Sequence, residues 1–318
     1  MDVIGIGSPV LDCLSLTERI PRTNELVRML DYSWQGGGKV ATALVALSRL
    51  GAKTGMIATV GDDAFGSYVV NDFKWNGVDT SHIVLDKDET TTFAIAIAEL
   101  QTSGRSFIAR DGTCRDLTLD DLDEEYIACA KYIHLTDMTP ITIEAARLAR
   151  KHGVKVAFDA DLYARETVEN LELIDVFIAS EYFYKGMFNK GAYDENCAQI
   201  RKCGPDVVAV TLGPNGSIGL DQGGYTRSPA FTNINVVDTT GAGDVYHGAF
   251  IYGLLQRWAL GEIMRFSTAV ATIKCTRLGG RAGVADFATV RKYLESGTID
   301  YTEIDERVKR YKKGFFRD

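Results

Sequence analysis

Two aspartates bracket a turn of very small residues in Val236-Val237-Asp238-Thr239-Thr240-Gly241-Ala242-Gly243-Asp244-Val245-Tyr246-His247-Gly248-Ala249-Phe250. Apolar residues beyond Asp244 continue with helical spacing to about Gln256, so the turn opens a helix. Gly241, Ala242 and Gly243 have almost no side chain, and their backbone N–H groups can approach a ligand closely. At a helix start, those N–H groups and the positive dipole end make an anion hole suited to phosphate. Asp244 in that field is placed to take a proton from a hydroxyl about to attack the phosphate. The plain alternative is a capped helix start, since Asp and Thr are good caps. Two aspartates around so small a turn favour the chemical reading.

Further candidates recur where strands end. Val3 to Asp12 reads as a buried first strand followed by a turn with an acid at its mouth, and Asp12 is either a solvated loop acid or a ligand contact. Gly5-Ile6-Gly7 lacks the third glycine and the immediate helix of a dinucleotide fingerprint, which leaves a nicotinamide oxidoreductase resting on that triplet alone. Gln35-Gly36-Gly37-Gly38-Lys39 precedes an apolar helix over Val40–Leu50 with Gly51 as its stop, and three glycines in a row suggest a ligand against the backbone. Lys39 is followed by Val40, so no P-loop is present. Asp159 and Asp161 follow one strand, Ser180-Glu181 the next, and Thr211-Leu212-Gly213-Pro214-Asn215-Gly216 a third. Cys275 to Val284 forms a loop that could offer carbonyls to a cation, wrap a base, or serve only as a surface turn.

The elements that must position these residues alternate. Strands are expected at Gly55–Val60, His82–Leu85, Thr91–Leu100 and Arg105–Arg110, the last two joined by a hairpin at Gln101–Gly104, with short extended runs over 17–35. From Asp120, helices near 120–130, 140–152, 165–172 and 192–202 alternate with strands at 132–135, 154–159, 176–179 and 207–212. Repeated helix–strand units imply a doubly wound, mostly parallel sheet with helices on both faces, and ligands beyond the carboxyl ends of its strands. A helix near 262–275 and a charged helical tail over 286–318 complete the chain; the tail is assigned no chemistry.

The 318 residues, 46% hydrophobic and 25% charged, suit a soluble α/β protein with a large core. A net charge of −8 argues against a nucleic-acid partner. The six cysteines form no Cys-x-x-Cys pair and read as buried reduced thiols. Neither a leader nor an apolar stretch of membrane-spanning length is read from the chain, so a cytoplasmic enzyme with no membrane partner is expected.

Two stretches together carry a family resemblance. Gly37-Gly38 with its helix, continuing through Gly51 to Val60-Gly61-Asp62-Asp63-Ala64-Phe65-Gly66, resembles the N-terminal signature of the ribokinase-like (PfkB-type) carbohydrate kinases. Asp238-Thr239-Thr240-Gly241-Ala242-Gly243-Asp244 resembles their C-terminal signature, and the similarity covers roughly residues 1 to 295. The resemblance implies one domain over 1–318 with a small β-sheet lid inserted at about 12–35 and 88–112, and an ATP- and Mg²⁺-dependent kinase acting on a hydroxyl, usually primary, of a sugar or nucleoside. It implies Asp244 as catalytic base, with Gly241, Ala242 and Gly243 as anion hole. Asp12, Gly37 and Gly38 are then sugar contacts, and Thr211, Gly213, Gly216 and Gly280 nucleotide contacts. Asp238, Thr240 and the carbonyls of Cys275, Leu278 and Gly280 resemble a monovalent-cation (K⁺) site, and the lid strands imply a homodimer. Lys39, Arg105 and Arg110 lie near the sugar pocket and either hold an acidic group or are solvated.

The chain departs from the family pattern at three places. Thr42 stands where an Asn normally touches sugar hydroxyls, Asp159-Ala160-Asp161 replaces Asp-Pro-Asn, and the Asn-x-x-Glu pattern falls at Ser180–Phe183 with both ends altered. Asp159 or Glu181 could organise Mg²⁺-bound water instead. Sugar, sugar acid, sugar phosphate and nucleoside all stay open as acceptor, and an inactive sugar- or nucleotide-binding protein is the remaining class.

Overall fold

The computed structural model describes residues 1–101, 104–188 and 191–314. The chain begins with β1 (Val3–Ile6), leaves it for β2 (Val10–Thr17) and β3 (Asp31–Gly37), and returns through the helix Lys39–Arg49 to β4 (Thr54–Gly61) and, after the helix Ala64–Trp75, β5 (Val78–Asp86). A second excursion forms β6 (Phe93–Glu99) and β7 (Arg105–Arg110). Then β8 (Tyr132–Leu135), β9 (Lys155–Ala160), β10 (Val176–Ser180) and β11 (Val207–Thr211) alternate with helices, and β12 (Ser217–Asp221) and β13 (Gly224–Ser228) close as a hairpin.

The large sheet has nine strands in the order β13-β12-β11-β10-β9-β8-β1-β4-β5. From β5 to β11 every neighbouring pair is parallel, while β12 and β13 run antiparallel. Runs such as Val3–Ile6 and Val176–Ala179 are buried on both faces, as parallel strands covered by helices must be. The winding moves outward from β1 through β4 to β5, then resumes at β8 and runs the other way. The reversal between β1 and β8 opens a crevice at the strands' carboxyl ends. The second sheet, β3-β2-β6-β7, pairs β2 with β6 in parallel and its outer strands antiparallel.

Several local expectations change. Within 17–35 only Thr17, which ends β2, and Asp31 onward are strand; Leu26, Met29 and Leu30 are exposed, so their alternation has no core to face. The helix expected near 120–130 is a 3₁₀ turn, Leu119–Asp121, and a short helix, Glu124–Ala128, whose start the Asp123 side chain caps. That expected at 165–172 breaks at Asn170. An unexpected helix, Glu181–Met187, starts because Ser180 Oγ accepts the Phe183 N–H at 3.0 Å. The β12–β13 hairpin was also unanticipated, and the hairpin expected at 101–104 lies partly outside the described residues. All six cysteines are free, but only Cys197 and Cys275 are buried; Cys13 and Cys114 are partly exposed, and Cys129 and Cys203 exposed.

The charged tail has a structural task. From the helix Thr302–Lys313, Tyr311 Oη donates to Asp72 Oδ1 at 2.8 Å, and Arg307 reaches Asn76 Oδ1 and the Arg281 carbonyl at 2.9 and 3.2 Å. Asp72 in turn pairs with Arg281 at 2.5 Å, both side chains fully buried. Gln35 accepts the N–H groups of Arg281 and Ala282, so the network fastens β3 to the 275–284 loop. Breaking a buried pair leaves an uncompensated charge, and Arg281→Met is expected to cost about 3–5 kcal/mol of stability. Urea denaturation checks this; a loss below about 1 kcal/mol would contradict it.

Candidate active site

The turn before the helix Ala242–Leu255 is built by hydrogen bonds from a distant loop. Val237 and Asp238 N–H donate to the Cys275 carbonyl at 2.8 and 3.2 Å. The Asp238 carboxylate accepts from Thr240 N–H and Oγ1 at 2.9 and 2.8 Å and from Gly279 N–H at 2.8 Å. Burial pushes its pKa up, but the Lys274 charge, and then these donors, hold it below the usual value. Gly241 then takes the left-handed conformation, φ 72°, against Gly280. The Ala242 N–H turns back to the Thr239 carbonyl at 3.1 Å, so one of the three expected anion-hole donors is already engaged. No hydrogen bond among the described residues engages the N–H of Gly243 or Asp244.

Asp244 sits in the first turn of this helix, facing a charged cluster. Burial, then the charge of Asp159, pushes its carboxyl up to about 7, against Lys39. Asp159, at the end of β9, is likewise raised to about 7 by burial, offset by Lys39. Lys39 Nζ pairs with Asp161 at 2.6 Å. His247, one turn after Asp244, places Nε2 3.4 Å from Asp159 Oδ1, and its ring lies 6.0 Å from that of His134. Burial holds both imidazoles down to about 3, so they are neutral. Sequence reading missed both; the only signals were an imidazole on an apolar helix, His247, and one in an apolar strand, His134. Glu181 is turned away to Lys185 at 2.9 Å.

The three consecutive glycines have a different cause from the one expected. A Cβ on Gly36 would fall 2.1 Å from Arg281 Nη1, and one on Gly37 2.1 Å from Asp12 Oδ2. Gly38, φ 90°, lies against the Ser8 carbonyl. The chain's own side chains claim this space. Arg281 also donates to the Gly37 carbonyl at 2.8 Å and lies 3.4 Å from Thr42 Oγ1. Asp12 is raised to about 7, chiefly by burial, with Arg281 opposing and Asp244 and Asp238 adding.

Asp12, Gly37, Gly38, Lys39, Thr42, Asp238, Thr240, Gly241, Asp244 and Gly280 therefore meet at the crevice, with Asp159, Asp161 and Arg281. Arg105 of β7 reaches the turn too, its guanidinium donating to Thr239 Oγ1. Thr211 ends β11, and Gly213 and Gly216 bound the turn between it and β12; Thr211 Oγ1 is spent on the Ala179 carbonyl at 3.4 Å. Tyr246 links this loop to the central helix through Ser217 Oγ at 2.9 Å. Two of the three carbonyls expected to bind a cation are in use: Cys275 as above, and Leu278 accepting from Gln35 Nε2 at 2.9 Å. The unanticipated residue is Lys274, whose buried ammonium donates to the carbonyls of Asp238, at 2.8 Å, and Thr240.

The chain is similar to known proteins along most of its length. The model of the pfkB family carbohydrate kinases matches residues 2–286. The chain is 30% identical to the 5-dehydro-2-deoxygluconokinase of Geobacillus kaustophilus, covering 93% of this chain and 94% of that one. It is 29% identical to the ribokinase of Haemophilus influenzae, over 91% and 97%. The structure of Arabidopsis thaliana ribokinase with ribose and ATP superposes with a TM-score of 0.78 at 24% identity, over 92% and 98%. Matched along nearly its whole length, the chain belongs to the pfkB family of carbohydrate kinases.

Proposed function

We propose that this chain transfers the γ-phosphate of ATP to a primary hydroxyl of a sugar or sugar derivative, with Asp244 as general base. The observation that carries the proposal is Asp244's carboxyl, raised to about 7, in the first turn of a helix whose Gly243 and Asp244 N–H groups no described residue engages. A base near neutrality is matched to taking a hydroxyl proton, and the adjacent N–H groups to the developing phosphoryl charge. Asp12 and the Thr42 hydroxyl bind sugar hydroxyls from the β2 and helix sides, with Gly37 and Gly38 shaping the wall. Lys39 and Arg105 put positive charge at its mouth. The Thr211–Gly216 loop and Gly280 flank the nucleotide. The small sheet acts as the lid of a single kinase domain. Its exposed edge strand β7 presents Phe107 and Ile108, 53% and 63% exposed, which favours a homodimer through the lid. We place the enzyme in the cytoplasm, where ATP is supplied and its free cysteines stay reduced.

Mg²⁺ fits the site as part of the nucleotide. No group of three ionisable ligands that could hold a metal occurs among the described residues, and Mg²⁺ characteristically uses one or two carboxylates with phosphates and water. Asp159 and Asp161 are the carboxylates that would hold it, and their crowding with Asp244 is eased by a cation. When bound, Mg²⁺ supplies charge neutralisation on the phosphates.

Three outcomes are expected. Asp244→Asn should lower turnover by about 10²–10⁴ while calorimetry shows ATP binding retained, because the backbone donors remain. Near-normal turnover would return Asp244 to a capping role. Wild-type activity should be found by measuring ADP release over sugars, sugar acids, sugar phosphates and nucleosides, a panel that includes ribose and 5-dehydro-2-deoxygluconate.

The second concerns pH. A base must be unprotonated, so kcat/KM should fall as pH drops through about 7, over a range broader than a single titration because the Asp244 and Asp159 charges repel and the pair takes up its protons in two steps. Removing the Asp159 charge lowers the Asp244 pKa, so in Asp159→Asn the limb should move to more acid pH. A limb unmoved by that change would exclude the coupling.

The third is assembly. Light scattering should give a dimer mass, reduced to monomer by Ile108→Lys. A fully active wild-type monomer at working concentration would contradict the lid interface.

A further inference from the structure

We infer that Lys274 is a built-in cation: its ammonium holds the turn that carries the anion hole, so phosphoryl transfer in this chain needs no monovalent metal ion. The inference rests on the kinase reading above. Lys274 ends the helix Leu260–Lys274, and its side chain is wholly buried. Nζ donates to the carbonyls of Asp238, at 2.8 Å, and Thr240, which flank Thr239 in the turn leading to Gly241. Apart from the Gly280 carbonyl, the other oxygens of the expected K⁺ site are held in hydrogen bonds among the described residues. The Asp238 carboxylate accepts from Thr240 N–H, Thr240 Oγ1 and Gly279 N–H, the Cys275 carbonyl from two N–H groups, and Leu278 from Gln35.

A metal ion binds through oxygen lone pairs; here those at the centre of the turn face N–H groups and a fixed positive charge. A K⁺ ion beside the ammonium would meet its repulsion in a buried place, where charges interact strongly. The residues therefore do not fit the ion that the resemblance implies. They fit a lysine in its stead, tethered and permanently present. Its charge is compensated by Asp238, and its field also reaches Asp244. Lys274 touches no reacting group in this arrangement; it is a positioning residue for Gly241 and the first helical turn.

A lysine ending a helix could also serve that helix alone, through its dipole. The test separates the two roles. Initial rates of the wild type are measured at constant ionic strength with K⁺, Na⁺ or tetramethylammonium as sole monovalent cation, and they are expected to agree within about twofold. Stimulation by K⁺ of fivefold or more over tetramethylammonium overturns the inference, and needs no variant to be seen. In Lys274→Met, kcat is expected to fall at least tenfold with the sugar KM changed less than threefold, and K⁺ or NH₄⁺ to restore at least part of the rate. A variant with wild-type kcat, or one whose lost kcat neither ion restores, overturns the inference.

Thermal unfolding gives a readout independent of turnover. The Lys274→Met midpoint should rise with K⁺ or NH₄⁺ relative to tetramethylammonium, and the wild-type midpoint should not. A wild type that phosphorylates no acceptor overturns the kinase reading, while the ion response of the two midpoints still decides whether Lys274 stands in for a metal.

Discussion

Desolvation of like charges is the constraint on which this site depends. Asp12, Asp159 and Asp244 all lose water at one crevice, and each has its carboxyl raised to about 7. Such crowding is tolerable only because cations are placed among them: Lys39 against Asp161, Arg281 beside Asp12, and Lys274 under the turn. Burial alone would leave the acids neutral and without base strength. Full compensation would hold them ionised far below neutrality and leave them weak bases. The balance between the two sets the charge that the crevice carries near pH 7.

The fold delivers these groups from separate segments, and the topology explains why they meet. β1 and β8 are neighbours wound in opposite directions, so β2, the Lys39–Arg49 helix and β9 all start or end at one opening. The helix Ala242–Leu255 then aims its N-terminus there. Its position is fixed from the far side by the Asp72–Arg281 network, whose outer members Tyr311 and Arg307 come from the last described helix. A tail without chemistry of its own thus holds the loop against which Gly241 packs.

What was legible in the sequence was local. The Asp238–Asp244 turn announces itself because its small residues, its acids and the helix that follows are contiguous. The parallel sheet followed from the repeated helix–strand alternation. What was hidden depends on partners far along the chain. Nothing near Gly36 reveals that Arg281, 245 positions later, fills the space its missing side chain leaves. Nothing near Lys274 shows that its side chain runs to Asp238 rather than to solvent. The β12–β13 hairpin escaped because Asp221-Gln222-Gly223-Gly224 joins runs too short and too polar to stand out from loop.

The histidines show how a site of crowded acids can be buttressed without adding charge. His247 approaches Asp159 from the same helix that carries Asp244, so any shift of that helix moves acid and imidazole together. Burial keeps the ring neutral, so its approach to within 3.4 Å of Asp159 puts no positive charge beside that carboxyl, as an imidazolium would. Asp159 can therefore stay near neutrality and go on raising Asp244. A lysine in the same place would pull both carboxyls down and leave the turn with a weaker base.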